Sequence, residues 1–112
     1  MIKIEAIVRP SHLEEVKEAI KALDLGGITV SQVMGCGRQK GYTEVYRGTQ
    51  VAINILPKIK IEIVVPNNCE AAVIEAICTA ARLGEIGDGK IFVSDIRDAI
   101  RIRTGERGDA AL

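Results

Sequence analysis

Residues 58–65 read Lys58-Ile59-Lys60-Ile61-Glu62-Ile63-Val64-Val65, and Pro66 follows. Ile59, Ile61, Ile63 and Val65 fall on one face of an extended chain, with Lys58, Lys60, Glu62 and Val64 on the other. The alternation predicts a β-strand with one buried face, closed by a proline that has no N–H to give to a ladder. Working outward, Asn67 and Glu70 have the spacing of a capping box, with Asn in the Ser/Thr role. An Ala-rich helix follows through Val73, Ile74, Ile77 and Ala81. Gly84, Gly87 and Gly89 break it, and Lys90 to Ile96 reads as another strand. Toward the start of the chain, Ile2, Ile4, Ala6 and Val8 alternate with Lys3, Glu5, Ile7 and Arg9, a strand stopped by Pro10. Ser11 and Glu14 repeat the capping-box spacing and open a helix with the buried stripe Leu13, Val16, Ile20 and Leu23. Gly26-Gly27 ends it, and Ile28 to Met34 is rich in the β-branched residues of strands. Arg38 to Gln50 is polar with little periodicity, and Val51 to Leu56 reads either as strand or as mobile chain. A short last element, Ile100 to Arg103, alternates Ile and Arg.

The order strand, helix, strand, strand, helix, strand is the split βαβ arrangement. The expected fold is therefore α+β: a ferredoxin-like βαββαβ sandwich, a single domain over 1–112. A long loop, at about 37–55, separates its second and third strands. Right-handed crossovers put both helices on one face of a four-stranded antiparallel sheet. The other face carries Ile7 and Val64 beside Lys3, Glu5, Lys60 and Glu62. That mixture is too apolar for water and too charged for a dry core, so further copies of the chain are expected to cover it.

Composition narrows the function. The 112 residues carry 15 basic and 15 acidic side chains, a balance that argues against a dedicated DNA-binding domain. Apolar residues at 47% and charged ones at 27% mark a folded globule. Aromatics are only 3%, so the core is aliphatic. The strand at 58–65 has no ring on which a base could stack, which excludes the RNA-recognition module of the same element order. Cys36, Cys69 and Cys78 form no CxxC pair, and His12 is the single histidine, so no zinc cluster is expected. Cys69 and Cys78 share one predicted helix roughly 13 Å apart along its axis, beyond the reach of about 7 Å that a disulfide allows. Unpaired thiols without a recognisable signal peptide point to a reducing cytoplasm. No apolar run approaches the roughly 20 residues of a membrane span. His12 reads as a solvated surface histidine, and an enzyme is the weaker reading.

Three clusters carry chemistry. Gly84-Glu-Ile-Gly-Asp-Gly-Lys90 is either an ordinary helix-to-strand turn or a cradle in which backbone N–H groups meet an anion. It lacks the GxxxxGK[ST] order and the strand-to-helix context of a Walker A loop. Arg101 and Arg103 would share one face of a strand, and two guanidinium forks suit a polyphosphate. Gly35-Cys-Gly-Arg-Gln-Lys-Gly41 opens a loop long enough to be functional. Its Arg38, Lys40, Glu44, Tyr46 and Arg47 suit contact with another protein.

Together, Gly37-Arg-Gln-Lys-Gly41, Thr43-Glu-Val-Tyr-Arg-Gly48, Leu56-Pro-Lys-Ile-Lys-Ile-Glu-Ile-Val-Val-Pro66, Ile86-Gly-Asp-Gly-Lys-Ile-Phe-Val93 and Ile100-Arg-Ile-Arg-Thr-Gly-Glu106 resemble the PII signal-transduction family of nitrogen regulators. The resemblance covers nearly the whole chain in register. It implies a homotrimer with a nucleotide site in each inter-subunit cleft, where ATP and ADP compete. Gly87, Asp88, Gly89 and Lys90 would hold phosphates together with Gly37, Arg38 and Gln39. Arg101, Arg103 and Thr29 would come from the adjacent subunit, while Ile7 and Val64 would line the adenine pocket. The resemblance also implies 2-oxoglutarate binding beside Mg-ATP, through Gln39, Lys40, Gly41 and Lys58. The Gln39 side chain would ligate Mg²⁺, and Lys58 would pair with the distal carboxylate of the keto acid. Tyr46, Arg47 and Thr49 would dock partners, among them Amt-type ammonium transporters and enzymes or regulators of nitrogen assimilation. Val51 stands where many members carry a modifiable tyrosine, so no nucleotidylation is expected there. Alternatives on the same fold are a nucleotide-only sensor and a slow ATPase or acylphosphatase-like hydrolase.

Overall fold

The structure, a computed structural model, describes residues 1–37, 42–46, 49–53 and 55–112. Its elements in chain order are β1 (Ile2–Val8), α1 (Leu13–Lys21), β2 (Thr29–Gly35), β3 (Tyr42–Tyr46), β4 (Thr49–Ile53), β5 (Leu56–Val65), α2 (Glu70–Ala81) and β6 (Lys90–Asp95). The main sheet has the order β2-β5-β1-β6, and its neighbours all run antiparallel. Each helix therefore crosses over an intervening strand, as the ferredoxin-like arrangement requires. The alternation that predicts β5 holds in register: Ile59, Ile61, Ile63 and Val65 are buried, and so are Ile2, Ile4, Ala6 and Val8 beside them on β1.

Both helices pack against each other and onto that apolar face. Val16 and Ile20 of α1 and Val73, Ile77 and Ala81 of α2 complete a wholly aliphatic core. No polar or charged residue is buried among the described residues. Fully burying each Ile or Val contributes roughly 1.5–3 kcal/mol. The opposite face carries Lys3–Glu5 and Lys60–Glu62 ion pairs, at 2.8 and 3.5 Å. Antiparallel register sets Glu5 between Glu62 and Phe92, and half of the Phe92 surface stays exposed at 55%.

Four sequence expectations are corrected. Neither capping box forms: each helix is preceded by a 3₁₀ turn, Pro10–His12 and Asn67–Cys69, and neither helix start has a side-chain cap bond. Proline at residues 10 and 66 favours that tight turn, which carries Ser11 and Asn67 out of the capping position. The Ser11 hydroxyl meets the His12 ring instead, at 3.1 Å. The segment read as a loop carries an antiparallel hairpin, with Tyr42 opposite Ile53 and Tyr46 opposite Thr49. Its Thr, Val, Tyr and Ile residues favour strands, while Glu44 and Gln50 obscure the hydropathy pattern. Finally, Ile100 to Arg103 is not a strand. Ile100 bridges Arg107, and Gly105 N–H returns to the Arg101 carbonyl at 2.7 Å, so the chain reverses there.

Candidate functional site

The register of the sheet brings four separate segments to one end of it. Gly35 of β2 lies opposite Leu56 of β5, Ile7 lies opposite Lys60 of β5, and Lys90 of β6 lies opposite Ile7 on the other side. Between them opens a cleft of about 520 Å³ lined by Ile7, Gly35–Gly37, Leu56, Lys58, Phe92 and the turn Glu85–Lys90. Ile7, Gly37, Lys58, Gly87, Asp88, Gly89 and Lys90, all anticipated from sequence, thus meet in one place.

The turn is built for close approach. Gly87 and Gly89 have φ of +104° and +114°, values that L side chains rarely adopt. A Cβ on Gly89 would lie 1.8 Å from the Ile7 carbonyl oxygen. Only glycine lets the turn lie directly on β1.

Arg9, at the end of β1, fastens the turn from below. Its guanidinium pairs with the Asp88 carboxylate and donates to the Ile86 carbonyl at 3.0 Å, with the Glu85 carboxylate 4.0 Å away. The other Asp88 oxygen accepts the N–H groups of Leu83, Gly84 and Glu85, at 2.9, 2.8 and 3.4 Å. The Arg9 guanidinium, joined by those amides, holds the Asp88 carboxyl down at about 2. Asp88 is therefore a structural clasp: its side chain is committed to Arg9 and the three amides, and its own N–H returns to the Glu85 carbonyl at 3.3 Å. Sequence reading missed Arg9. Its position directly after the first strand, next to the last strand in ferredoxin-like order, was the available signal.

Lys58 donates to the Gly87 carbonyl at 3.2 Å. Partial burial pushes its ammonium below the usual lysine range, and the positive charge of Arg9 adds to the effect.

The remaining residues stand apart. Thr29 and Val64 line a second cleft, of about 220 Å³, with Gly27, Glu62 and Leu112. The expected pairing of Val64 with Ile7 is not made within one chain. Ile7 lies opposite Lys60, and four residues of extended chain separate Lys60 from Val64 by roughly 13 Å. Arg101 sits near the second cleft, donating to the Leu112 main-chain oxygen at 3.2 Å. Arg103 is exposed on the reversal and makes no ion pair among the described residues. The candidate residues thus fall into two separate groups on each chain. Arg38, Gln39, Lys40, Gly41 and Arg47 lie outside the described residues. Tyr46, Thr49 and Val51 belong to β3 and β4.

Fold and cleft define a ferredoxin-like α+β module with a glycine turn and two lysines, Lys58 and Lys90, lining a cleft at one end of its sheet. A family model described as Nitrogen regulatory protein P-II matches residues 1–106. Curated relatives named Nitrogen regulatory protein P-II from Rhizobium meliloti and Rhodospirillum rubrum are each 56% identical, with complete coverage of both chains. Nitrogen regulatory protein P-II 1 of Escherichia coli is 51% identical over the same full length. The chain belongs to the nitrogen regulatory protein P-II family, a family of regulators and not of enzymes by name. No helix among the described residues is long and apolar enough to cross a membrane.

Proposed function

We propose that this protein is a cytoplasmic, homotrimeric sensor of nitrogen, carbon and energy status that binds ATP or ADP and, with Mg-ATP, 2-oxoglutarate. The observation that carries the reading is the meeting of the Gly87–Lys90 turn, Lys58 and Gly35–Gly37 in one cleft at the root of the 37–55 segment. Backbone amides of the turn, with Lys90, would cradle the phosphates. Thr29, Val64, Arg101 and Arg103 of an adjacent copy would close the site, which suits their separation from Ile7 within a chain. Ile7 and Val64 would then flank the adenine from different subunits.

Among the described residues, no group of three or more acidic, His or Cys side chains could hold a metal ion. Mg²⁺ would accordingly enter as Mg-ATP, with the Gln39 side-chain oxygen completing an oxygen shell. Lys58 would pair with the distal carboxylate of 2-oxoglutarate, beside Lys40 and Gly41. Because Arg38, Gln39, Lys40 and Gly41 open the 37–55 segment, each ligand would bias that segment by its differential affinity for two arrangements. Partners such as Amt-type ammonium transporters or nitrogen-assimilation enzymes would read the outcome through Tyr46, Arg47 and Thr49.

Calorimetric titration tests this reading. ATP and ADP are expected to compete, and 2-oxoglutarate to bind only when Mg-ATP is present. Gln39→Ala is expected to remove 2-oxoglutarate binding while sparing most ADP binding. Nucleotide binding with no response to 2-oxoglutarate would support the nucleotide-only sensor. Steady release of phosphate from ATP by the purified protein would support the hydrolase.

A further inference from the structure

Arg101 is engaged within its own chain. Its guanidinium donates to Glu106 Oε1 at 2.8 Å and to the Leu112 main-chain oxygen at 3.2 Å. The Thr104 hydroxyl donates to the same Glu106 oxygen, at 2.8 Å. Leu112 in turn lines the 220 Å³ cleft that holds Thr29 and Val64. One segment, residues 106–112, therefore takes up two things a ligand would use: the Arg101 fork and space beside Thr29 and Val64. The base of the segment is held separately. Asp98 accepts from Arg107 and from the Gly108 N–H, at 2.8 and 3.1 Å, and these contacts do not involve Arg101.

A guanidinium has a fixed fan of donors, and here Glu106 takes one terminal nitrogen and the Leu112 oxygen the other, so the two together fill the fork a phosphate would use. Glu106 and a phosphate therefore compete for Arg101. We propose that residues 106–112 form a resident strap: Glu106 stands in for phosphate on Arg101, and the strap yields when a polyphosphate takes its place. The inference rests on the nucleotide reading above and adds a built-in competitor to it. A more highly charged polyphosphate displaces a single carboxylate more readily, so the strap raises the charge a ligand needs to bind. The anchored base at Asp98 keeps the strap at hand to return when the ligand leaves.

The test is Glu106→Gln, which keeps the size of the side chain and an oxygen for Thr104 but removes the charge. ATP binding, measured by calorimetry, is expected to tighten two- to fivefold, the span an exposed ion pair supplies. The gain is expected to vanish when the substitution is made in an Arg101→Ala protein. Unchanged or weaker ATP binding by Glu106→Gln overturns the strap. If the wild-type chain binds no nucleotide at all, the nucleotide reading fails on its own. The strap is then judged with inorganic tripolyphosphate, where equal affinity of wild type and Glu106→Gln overturns it. In the ligand-free protein, the NMR resonance of the Arg101 side-chain N–H should also move on Glu106→Gln, and an unmoved resonance likewise overturns the pairing.

Discussion

At Gly89 the backbone turns with φ of +114°, and an added Cβ would meet the Ile7 carbonyl oxygen at 1.8 Å. Gly84 has a φ of +87° but open space around it. The two glycines separate conformational strain from collision. Gly84→Ala is expected to cost about 1–2 kcal/mol, the penalty of a left-handed conformation. Gly89→Ala adds a clash with backbone and is expected to cost about 3 kcal/mol or more. Urea denaturation of both variants measures the difference, and equal midpoints would contradict the close approach. Asp88 offers a second test at this scale. Its carboxyl is held at about 2 by Arg9 and three amides, below the value near 4 of an unfolded chain. A depressed carboxylate contributes stability above the unfolded value and loses it as pH falls through the folded one. Wild-type stability is therefore expected to decline between about pH 4 and pH 2, and Asp88→Asn to flatten that decline. The glycines were legible in the sequence because a run of three in seven residues marks a turn. The clasp was not, because Arg9 and Asp88 are 79 positions apart and only the strand order brings them together.

Elements with strict periodicity were read within a residue or two of their bounds. β1, β5 and the apolar stripes of both helices follow from period-2 and period-3.6 patterns, which burial of one face enforces. Helix starts were misread because a motif of residue types does not fix backbone position. A proline-led 3₁₀ turn competes for the same residues, and it wins before both α1 and α2. Ser11→Ala should accordingly cost less than about 0.5 kcal/mol, whereas a true cap would cost about 1 kcal/mol. Thermal or urea unfolding decides between these values. The hairpin β3–β4 and the reversal at 100–107 were misassigned for related reasons. Strand propensity in the first is masked by polar residues, and in the second alternation of Ile and Arg imitates a strand. There, Ile102 is 99% exposed, so the alternation reflects no buried face.

At the scale of the molecule, two facts point to assembly. The open sheet face pairs its charges laterally and leaves Phe92 half exposed, and the candidate residues line two separate clefts of each chain. A trimer of about three times the 12.1 kDa chain mass is expected by light scattering at micromolar concentration. A monomer would remove the shared cleft. Its two proposed half-sites permit a sharper test. Lys90→Ala disables the half-site of the glycine turn, and Arg103→Ala disables the other. Each is expected to weaken ATP binding about ten- to 150-fold, the equivalent of the roughly 1.5–3 kcal/mol of a charge-assisted contact. Subunits of the two variants, unfolded together and reassembled, form mixed trimers. In these, some clefts join an intact glycine turn to an intact Arg103, while others join two damaged halves. Calorimetry of the mixture should then show a fraction of sites with wild-type affinity that neither variant shows alone. If every site in the mixture stays weak, both half-sites belong to one subunit and the inter-subunit cleft is wrong.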